Sequence, residues 1–350
     1  MREILLDPVR LGCFLGIRQL VGEGHDQFVD DMYTTNDGRL LIVSRPSLAD
    51  VVAIDLDTRE IAWRFVVDGQ RADHMGLPPD GRRVAVSAST GNVVHVLDTR
   101  TGREVGRFPS GDSPHENNYS ADGERIFHAS IGLVYTPTDQ PILDSTKGER
   151  VFQIVDADTF AILERIDIGR KLEQAAYPNM SSAVRPMALS PDERFVYFQV
   201  SFFHGFVEYD YAEDRVTRVA HLPNEVPDMP REQYLLDSAH HGLAMNGRGT
   251  KLCAAGTMSD YAAIVSRRTF NHTLIHGWGE ALLVDQQRQR PQVLRVVERK
   301  RPDLGDLVPE EEGDRPGRRR RPSPAHADGN RAHELAAREP LDDGGDAERR

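Results

Sequence analysis

At 350 residues, with 55 acidic against 43 basic side chains, the chain carries a formal net charge of −12, which argues against a general nucleic-acid binder. Its two cysteines, Cys13 and Cys253, supply neither a disulfide framework nor a paired metal-ligand spacing, and they read as reduced thiols of a cytoplasmic protein. The length would suit two average domains, but repeat architectures run longer as one closed unit, so one domain followed by a tail is expected.

Met1 to Leu20 holds one apolar run, Leu11 to Ile17, set between Arg10 and Arg18. It is too short to cross a membrane and no small-residue cleavage site follows it, so it is expected to be a strand of the first or last repeat. Elsewhere no stretch approaches membrane-spanning length, and no membrane partner is expected.

From Val29 onward one pattern returns: a polar lead-in, a turn, then alternating apolar residues. The copies are VDDMYTTNDGRLLIVS (Val29 to Ser44), ADHMGLPPDGRRVAVS (Ala72 to Ser87), GDSPHENNYSADGERIFHA (Gly111 to Ala129), AVRPMALSPDERFVYFQV (Ala183 to Val200) and HHGLAMNGRGTKLCAAG (His240 to Gly256). Each reads as strand, tight turn, strand, with Asp-Gly supplying positive φ angles at the turn. Eighteen residues separate the turn acid from the acid that closes the next strand: Asp37 to Asp55, Asp80 to Asp98, and Asp192 to Asp210. In the last copy Arg248 holds the turn slot and the same count reaches Ser266, while Asp122 to Asp156 is the same unit with a sixteen-residue insertion. The first turns are 43 and 42 residues apart, the length of a four-stranded propeller blade. An all-β fold follows: a β-propeller, with seven blades expected and six the alternative.

The turns PHENNYSADGERIF and RPMALSPDERFVYF carry a family resemblance, as do the segments VVHVLDTRTGREVGRF (Val93 to Phe108), VVAIDLDTREIAWRF (Val51 to Phe65) and FQIVDADTFAILERI (Phe152 to Ile166). The repeats resemble those of the YVTN-type, YncE-like β-propellers, related in fold to the quinoprotein amine dehydrogenase heavy chain and to lactonase propellers, over roughly residues 25 to 280. The resemblance implies a fold and leaves the role open. Ala53 to Trp63 is similar to the tryptophan-docking repeat of quinone-dependent dehydrogenases; no other copy has the tryptophan, which argues against a quinone cofactor.

No phosphate-cradling loop, dinucleotide fingerprint, nucleophile elbow, His-Glu-x-x-His helix or Cys-x-x-Cys pair is present. Any chemistry must therefore come from residues gathered by the ring. The innermost strand of each blade lines the central channel, so residues at equal offset from the turn share a depth. Seven residues before the turn stand Asp30, Asp73, His115, Arg185 and His241; the next position adds Asp31, His74, Glu116, Pro186 and Gly242, with His25 and His240 nearby. A titratable belt at one mouth of the channel is expected, with Asp30, Asp73, His74, His115, Glu116, Arg185 and His241 as candidate ligand-binding residues. His115, His241 and Asp73 are candidates for a divalent metal, and Arg185 for an anionic group. An ordinary wet, polar channel rim is the alternative.

Three insertions interrupt the repeats: Gly132 to Arg150, Lys171 to Ala183, and Pro223 to Asp237. The last two precede inner strands and are expected near the belt mouth as a lid, a partner surface or decoration. The aromatic run Val196 to Tyr211 occupies strand positions, which favours packing between blades over base stacking.

Past Gly279 the pattern stops, with no Phe, Tyr, Trp or Ile and four consecutive arginines at Arg318 to Arg321. Residues 1–280 are expected to form the propeller and 281–350 a disordered Arg/Pro/Glu-rich tail. One codon choice for EALLVDQQ (Glu280 to Gln287), read one base later, spells KPYWSTN, a blade opening of the resembled family. GRRRRPSP (Gly317 to Pro324) gives VAVGDHP in the same offset, matching the Gly-Asp-x-Pro at Gly111 to Pro114. The tail is thus expected to be an out-of-frame translation of a final blade, leaving the ring damaged or unclosed.

Three functions stay open. A noncatalytic propeller would bind a small molecule or protein at the loop-rich mouth. A lactonase-like or metal-assisted hydrolase would use the His/Asp/Arg belt. A nucleic-acid binder would need Arg267, Arg268 and the tail as a basic patch, against the acidic balance.

Overall fold

The computed structural model describes residues 29–133, 147–234 and 238–276, which form five four-stranded antiparallel sheets. The first contains β1 (Met32–Thr34), β2 (Leu40–Arg45), β3 (Asp50–Asp55) and β4 (Ile61–Val66). The second contains β5 (Ala72–Gly76), β6 (Arg83–Ala88), β7 (Val93–Asp98) and β8 (Glu104–Pro109). The third is β9 (Pro114–Tyr119), β10 (Arg125–Ser130), β11 (Phe152–Asp156) and β12 (Ile162–Ile166). The fourth is β13 (Val184–Leu189), β14 (Phe195–Val200), β15 (Gly205–Asp210) and β16 (Arg215–His221), and the fifth is β17 (Leu243–Met245), β18 (Lys251–Gly256), β19 (Tyr261–Ser266) and β20 (His272–His276). Within every sheet the strands neighbour one another in chain order. Sheets meet through their first strands: β5 lies beside β9, β9 beside β13 and β13 beside β17, with β2 against β5. Repeated meanders joined at their inner strands make this a β-propeller. Met1 to Leu20, the centre of the third-blade insertion and the expected tail at 281–350 lie outside the described residues.

The recurring acids are structural. In the turn between first and second strands, Asp37, Asp80 and Asp122 accept from the backbone N–H two residues on, at 3.0, 2.9 and 3.0 Å. Thr35, Ser120 and Ser190 hydroxyls donate to Asp37, Asp122 and Asp192, and those bonds come first among the causes that hold the three carboxyls below the usual range. The expected pair of positive φ angles is reduced to one: only the residue after the acid is left-handed, as at Gly38 and Gly123, with Glu193 taking that position in blade four. Such a turn is a wider loop than a two-residue hairpin. In blade five Gly249 supplies the left-handed residue after Arg248, and the Asn246 side chain does the accepting, from Thr250 and Lys251. The second acid caps the turn after the third strand: Asp55, Asp98 and Asp156 each accept from the backbone two and three residues ahead.

Apolar residues of facing sheets form the core. Leu40, Ile42, Val51 and Trp63 of blade one pack with Met75, Val84 and Val86 of blade two, and Phe127, Phe152 and Ile154 of blade three pack with Val196, Phe198 and Val207 of blade four. The aromatic run 196–211 is indeed packing material: Tyr197, Phe198, Phe206 and Tyr209 are fully buried. Trp63 docks blade one on blade two, donating from Nε1 to the Thr99 carbonyl at 3.0 Å and lying over Gly102, where a Cβ would come within 2.5 Å of the indole. Blade five differs from blades two to four. Along β18 its residues alternate between buried and half-buried, so one face, with Cys253 and Ala255, is less enclosed. No helix among the described residues is long and apolar enough to cross a membrane.

Candidate functional site

The equal-offset residues converge. Asp30 enters just before β1, Asp73 and His74 lie in β5, His115 and Glu116 in β9, Arg185 in β13, and His241 just before β17, so all five described blades contribute. The imidazoles of blades two, three and five face one another: ring centroids are 4.2 Å apart for His74 and His115, 5.3 Å for His74 and His241, and 5.4 Å for His115 and His241. His115 Nε2 and His241 Nε2 are 3.3 Å apart. Four carboxylates surround His74, with Asp31 and Glu116 each 3.7 Å from Nδ1 and Asp30 and Asp73 each 3.9 Å from Nε2. Asp73 also takes the Arg71 guanidinium at 3.1 Å and the Ser89 hydroxyl at 2.5 Å.

This crowding separates the proton affinities. Burial pushes Asp30 well above the usual carboxylate range; His74 pulls the other way and neighbouring Asp73 adds to the rise. For Asp73 burial also opposes the charge, but Arg71, the hydrogen bond from Asp30 and His74 prevail and hold it well below. Burial lowers His74, yet Asp30, Asp31, Asp73 and Glu116 outweigh it and raise the imidazole well above its ordinary value. His115 and His241 are driven well below theirs, first by burial and then by the charge of His74, with Arg185 adding to both. Burial raises Glu116 to about 7 against the pull of His74. Burial and the neighbouring charges thus pull the proton affinities of one cluster in opposite directions.

Side chains at and just past the ends of the second strands fix the belt. Nine residues after the turn stand Ser89, Ser201 and Thr257. Ser89 donates to Asp73, Ser201 accepts from Arg185 Nε at 2.9 Å, and the Thr257 hydroxyl accepts from the His241 backbone N–H at 3.0 Å. At seven residues after the turn, Ser87 donates to the His115 carbonyl of the next blade at 2.9 Å. Gln199, in the same slot, clasps the Gly242 backbone through both ends of its amide, at 3.0 and 2.9 Å. Reading forward from the turn as well as back would have found these residues. Arg71, outside both offsets, had no such signal.

His25 lies outside the described residues. His240 is adjacent to His241 in sequence but alternation turns it to the other side, where Nε2 meets the Tyr261 hydroxyl at 3.1 Å and the ring meets His204. Pro186 and Gly242 bring no ligand group. The proposed metal set is also redrawn: the ligand atoms of His74, His115 and His241 lie within 4.8 Å of one another, and Asp73 groups instead with Asp30 and His74.

The insertions are partly described. At the start of the second, Lys171 to Ala183, α1 (Ile168–Gln174) buries Ile168 and Leu172 in the core between blades three and four and contacts β16, so this part serves packing. In the Pro223 to Asp237 insertion, Tyr234 and the Arg231 guanidinium lie on Phe202, the neighbour of the Ser201 that holds Arg185. That loop reaches the belt end of blade four. A separate groove of about 800 Å³ lies between blades four and five, lined by Arg194, Arg218, Lys251 and Arg267 among others. Its arginines are largely engaged within the protein: Arg194 with Asp210, Arg218 with Glu208, and Arg267 with the Tyr197 hydroxyl.

Beneath the belt, fully buried His128 uses both ring nitrogens, Nε2 with Ser110 Oγ at 2.7 Å and Nδ1 with Asn117 Oδ1 at 2.9 Å. Burial drives its pKa down to about 3, against the bond to the Glu116 carbonyl. The unfolded chain protonates this histidine below about pH 6.5 while the folded chain does not, so its contribution is complete above that pH and is lost as pH falls toward 3. Between pH 6.5 and 4.5 wild type should lose roughly 2–3 kcal/mol more stability than His128→Leu in denaturant titrations. Parallel pH profiles would contradict a neutral, buried His128.

No family model matches the sequence, and no curated protein matches it. Among solved structures, a chain of hydrazine synthase from Kuenenia stuttgartiensis is similar, with 16% identity and a TM-score of 0.47 over 69% of this chain and 78% of that one.

Proposed function

We propose that the protein is a noncatalytic binding propeller of the YVTN, YncE-like kind that takes a small polar ligand at the belt mouth of its central channel. The observation that carries this reading is the gathering of ionisable side chains from separate blades, held by hydroxyl and amide clamps at and just past the ends of the second strands. The site offers donors and acceptors together: Arg185 for an acidic or carbonyl group, and Glu116 and Asp30 for hydroxyl or amino groups. A rim that merely met water would not need its arginines and acids nine-tenths buried, as Arg71, Asp73 and Arg185 are.

The test is a thermal-shift screen of small polar metabolites against wild type, Glu116→Gln and Arg185→Gln. A compound present at about 100 times its Kd should stabilise wild type by ~2.7 kcal/mol, several degrees in Tm, and lose most of that shift in both variants. Shifts that survive both substitutions would place binding elsewhere.

A further inference from the structure

We propose that His74, His115 and His241 together hold one divalent transition-metal ion whose open position receives the small ligand, an inference that rests on the binding reading above.

The geometry comes first. Zinc and its neighbours bind imidazole nitrogen at about 2.0–2.1 Å, so two such nitrogens on one tetrahedral ion stand about 3.3–3.4 Å apart. His115 Nε2 and His241 Nε2 already stand at 3.3 Å, and the His74 ligand atom lies within 4.8 Å of both. The three residues come from blades two, three and five, so the ion would be held from separate sides of the channel.

His128 gives the contrast. It is equally enclosed and commits each nitrogen to a hydroxyl or an amide, as a structural histidine should. His115 commits neither: Nε2 meets only another histidine, and buried Nδ1 has no hydrogen-bond partner. Either tautomer of His115 leaves a buried nitrogen unsatisfied, a costly arrangement unless the ring serves a group outside the polypeptide.

The donor set names the class of ion. Three imidazoles suit zinc, cobalt, nickel or copper, whereas magnesium and calcium require oxygen ligands. Whichever nitrogen of His74 binds, two carboxylates stand 3.7 or 3.9 Å from its other nitrogen, on the side of outer partners, and their charge offsets that of the ion once it displaces the proton they favour on His74. Three protein ligands leave a fourth position for the bound molecule.

The experiment uses the full chain, free of affinity tag and stripped with a chelator, titrated with Co²⁺ and followed by visible absorption. One ion per chain with the intense bands of a tetrahedral nitrogen site is expected. His115→Ala and His241→Ala should each weaken binding by more than about 100-fold, since outer partners alone are worth about 10–100-fold. Exposed His272→Ala should leave it unchanged. If the variants do not fold, X-ray absorption of the wild-type Co²⁺ complex decides between three imidazoles and a looser oxygen-rich shell. Absence of one-to-one binding, or an oxygen-rich shell, overturns the metal site. Should the stripped protein bind its small ligand with unchanged affinity, the ligand-on-metal arrangement falls while the binding function stands.

Discussion

Asp73→Ala is expected to cost roughly 3–5 kcal/mol of stability, the range seen when one member of a buried ion pair is removed. Asp73 is 4% exposed and faces Arg71, itself 9% exposed, at 3.1 Å. It also accepts from Ser89 Oγ and from the His74 backbone N–H at 3.1 Å. Alanine removes all three at once and leaves the buried Arg71 charge without this carboxylate. Denaturant unfolding of Asp73→Ala beside Asp80→Ala makes the measurement specific. Asp80 closes an exposed turn, and its loss should stay within about 1 kcal/mol. Equal losses for the two would show that the belt is not buried as described.

Gly205→Ala is expected to cost about 3–5 kcal/mol through the backbone rather than through charge. Gly205 opens β15 at φ +144°, a region that disfavours a side chain, and an added Cβ would fall well inside contact distance of the Ala220 carbonyl oxygen on paired β16. Relief requires parting the Gly205 to His221 end of the β15/β16 ladder. The preceding turn carries Ser201, the partner of Arg185, so the change should also lower ligand-induced Tm shifts. Gly247→Ala is the control: nothing lies within 4 Å of its added Cβ, and its effect should stay within about 1 kcal/mol. A neutral Gly205→Ala would mean that β15 and β16 are not paired in this register.

How the site could be read from the sequence follows from where its information sits. The turn acids recur because each must cap the same backbone, so Asp37, Asp80 and Asp122 mark a phase from which the inner strands can be counted. Counting back seven reaches side chains that share a depth, and for that reason Asp30, Asp73, His115, Arg185 and His241 could be grouped before any coordinates. Register says less about direction across the ring. It could not show that His74, one residue further on, completes the three imidazoles while Asp73 turns to Arg71 and Ser89. Nor could proximity in sequence separate His241 from His240, which strand alternation sends to Tyr261. Arg71 was invisible because it lies outside the repeat pattern and is recruited by charge alone. Residues past 276 lie outside the described residues, and the out-of-frame reading of the tail remains a proposal that the nucleotide sequence tests.

The inner strands of separate blades bring distant ionisable side chains together. A crystal structure of the full chain at a resolution that fixes ring positions measures it directly. His74, His115 and His241 should face one another, with His115 Nε2 and His241 Nε2 near 3.3 Å apart or bridged by an ion, and Asp73 on Arg71. Imidazoles pointing into different blade interfaces, with no common centre, would contradict it.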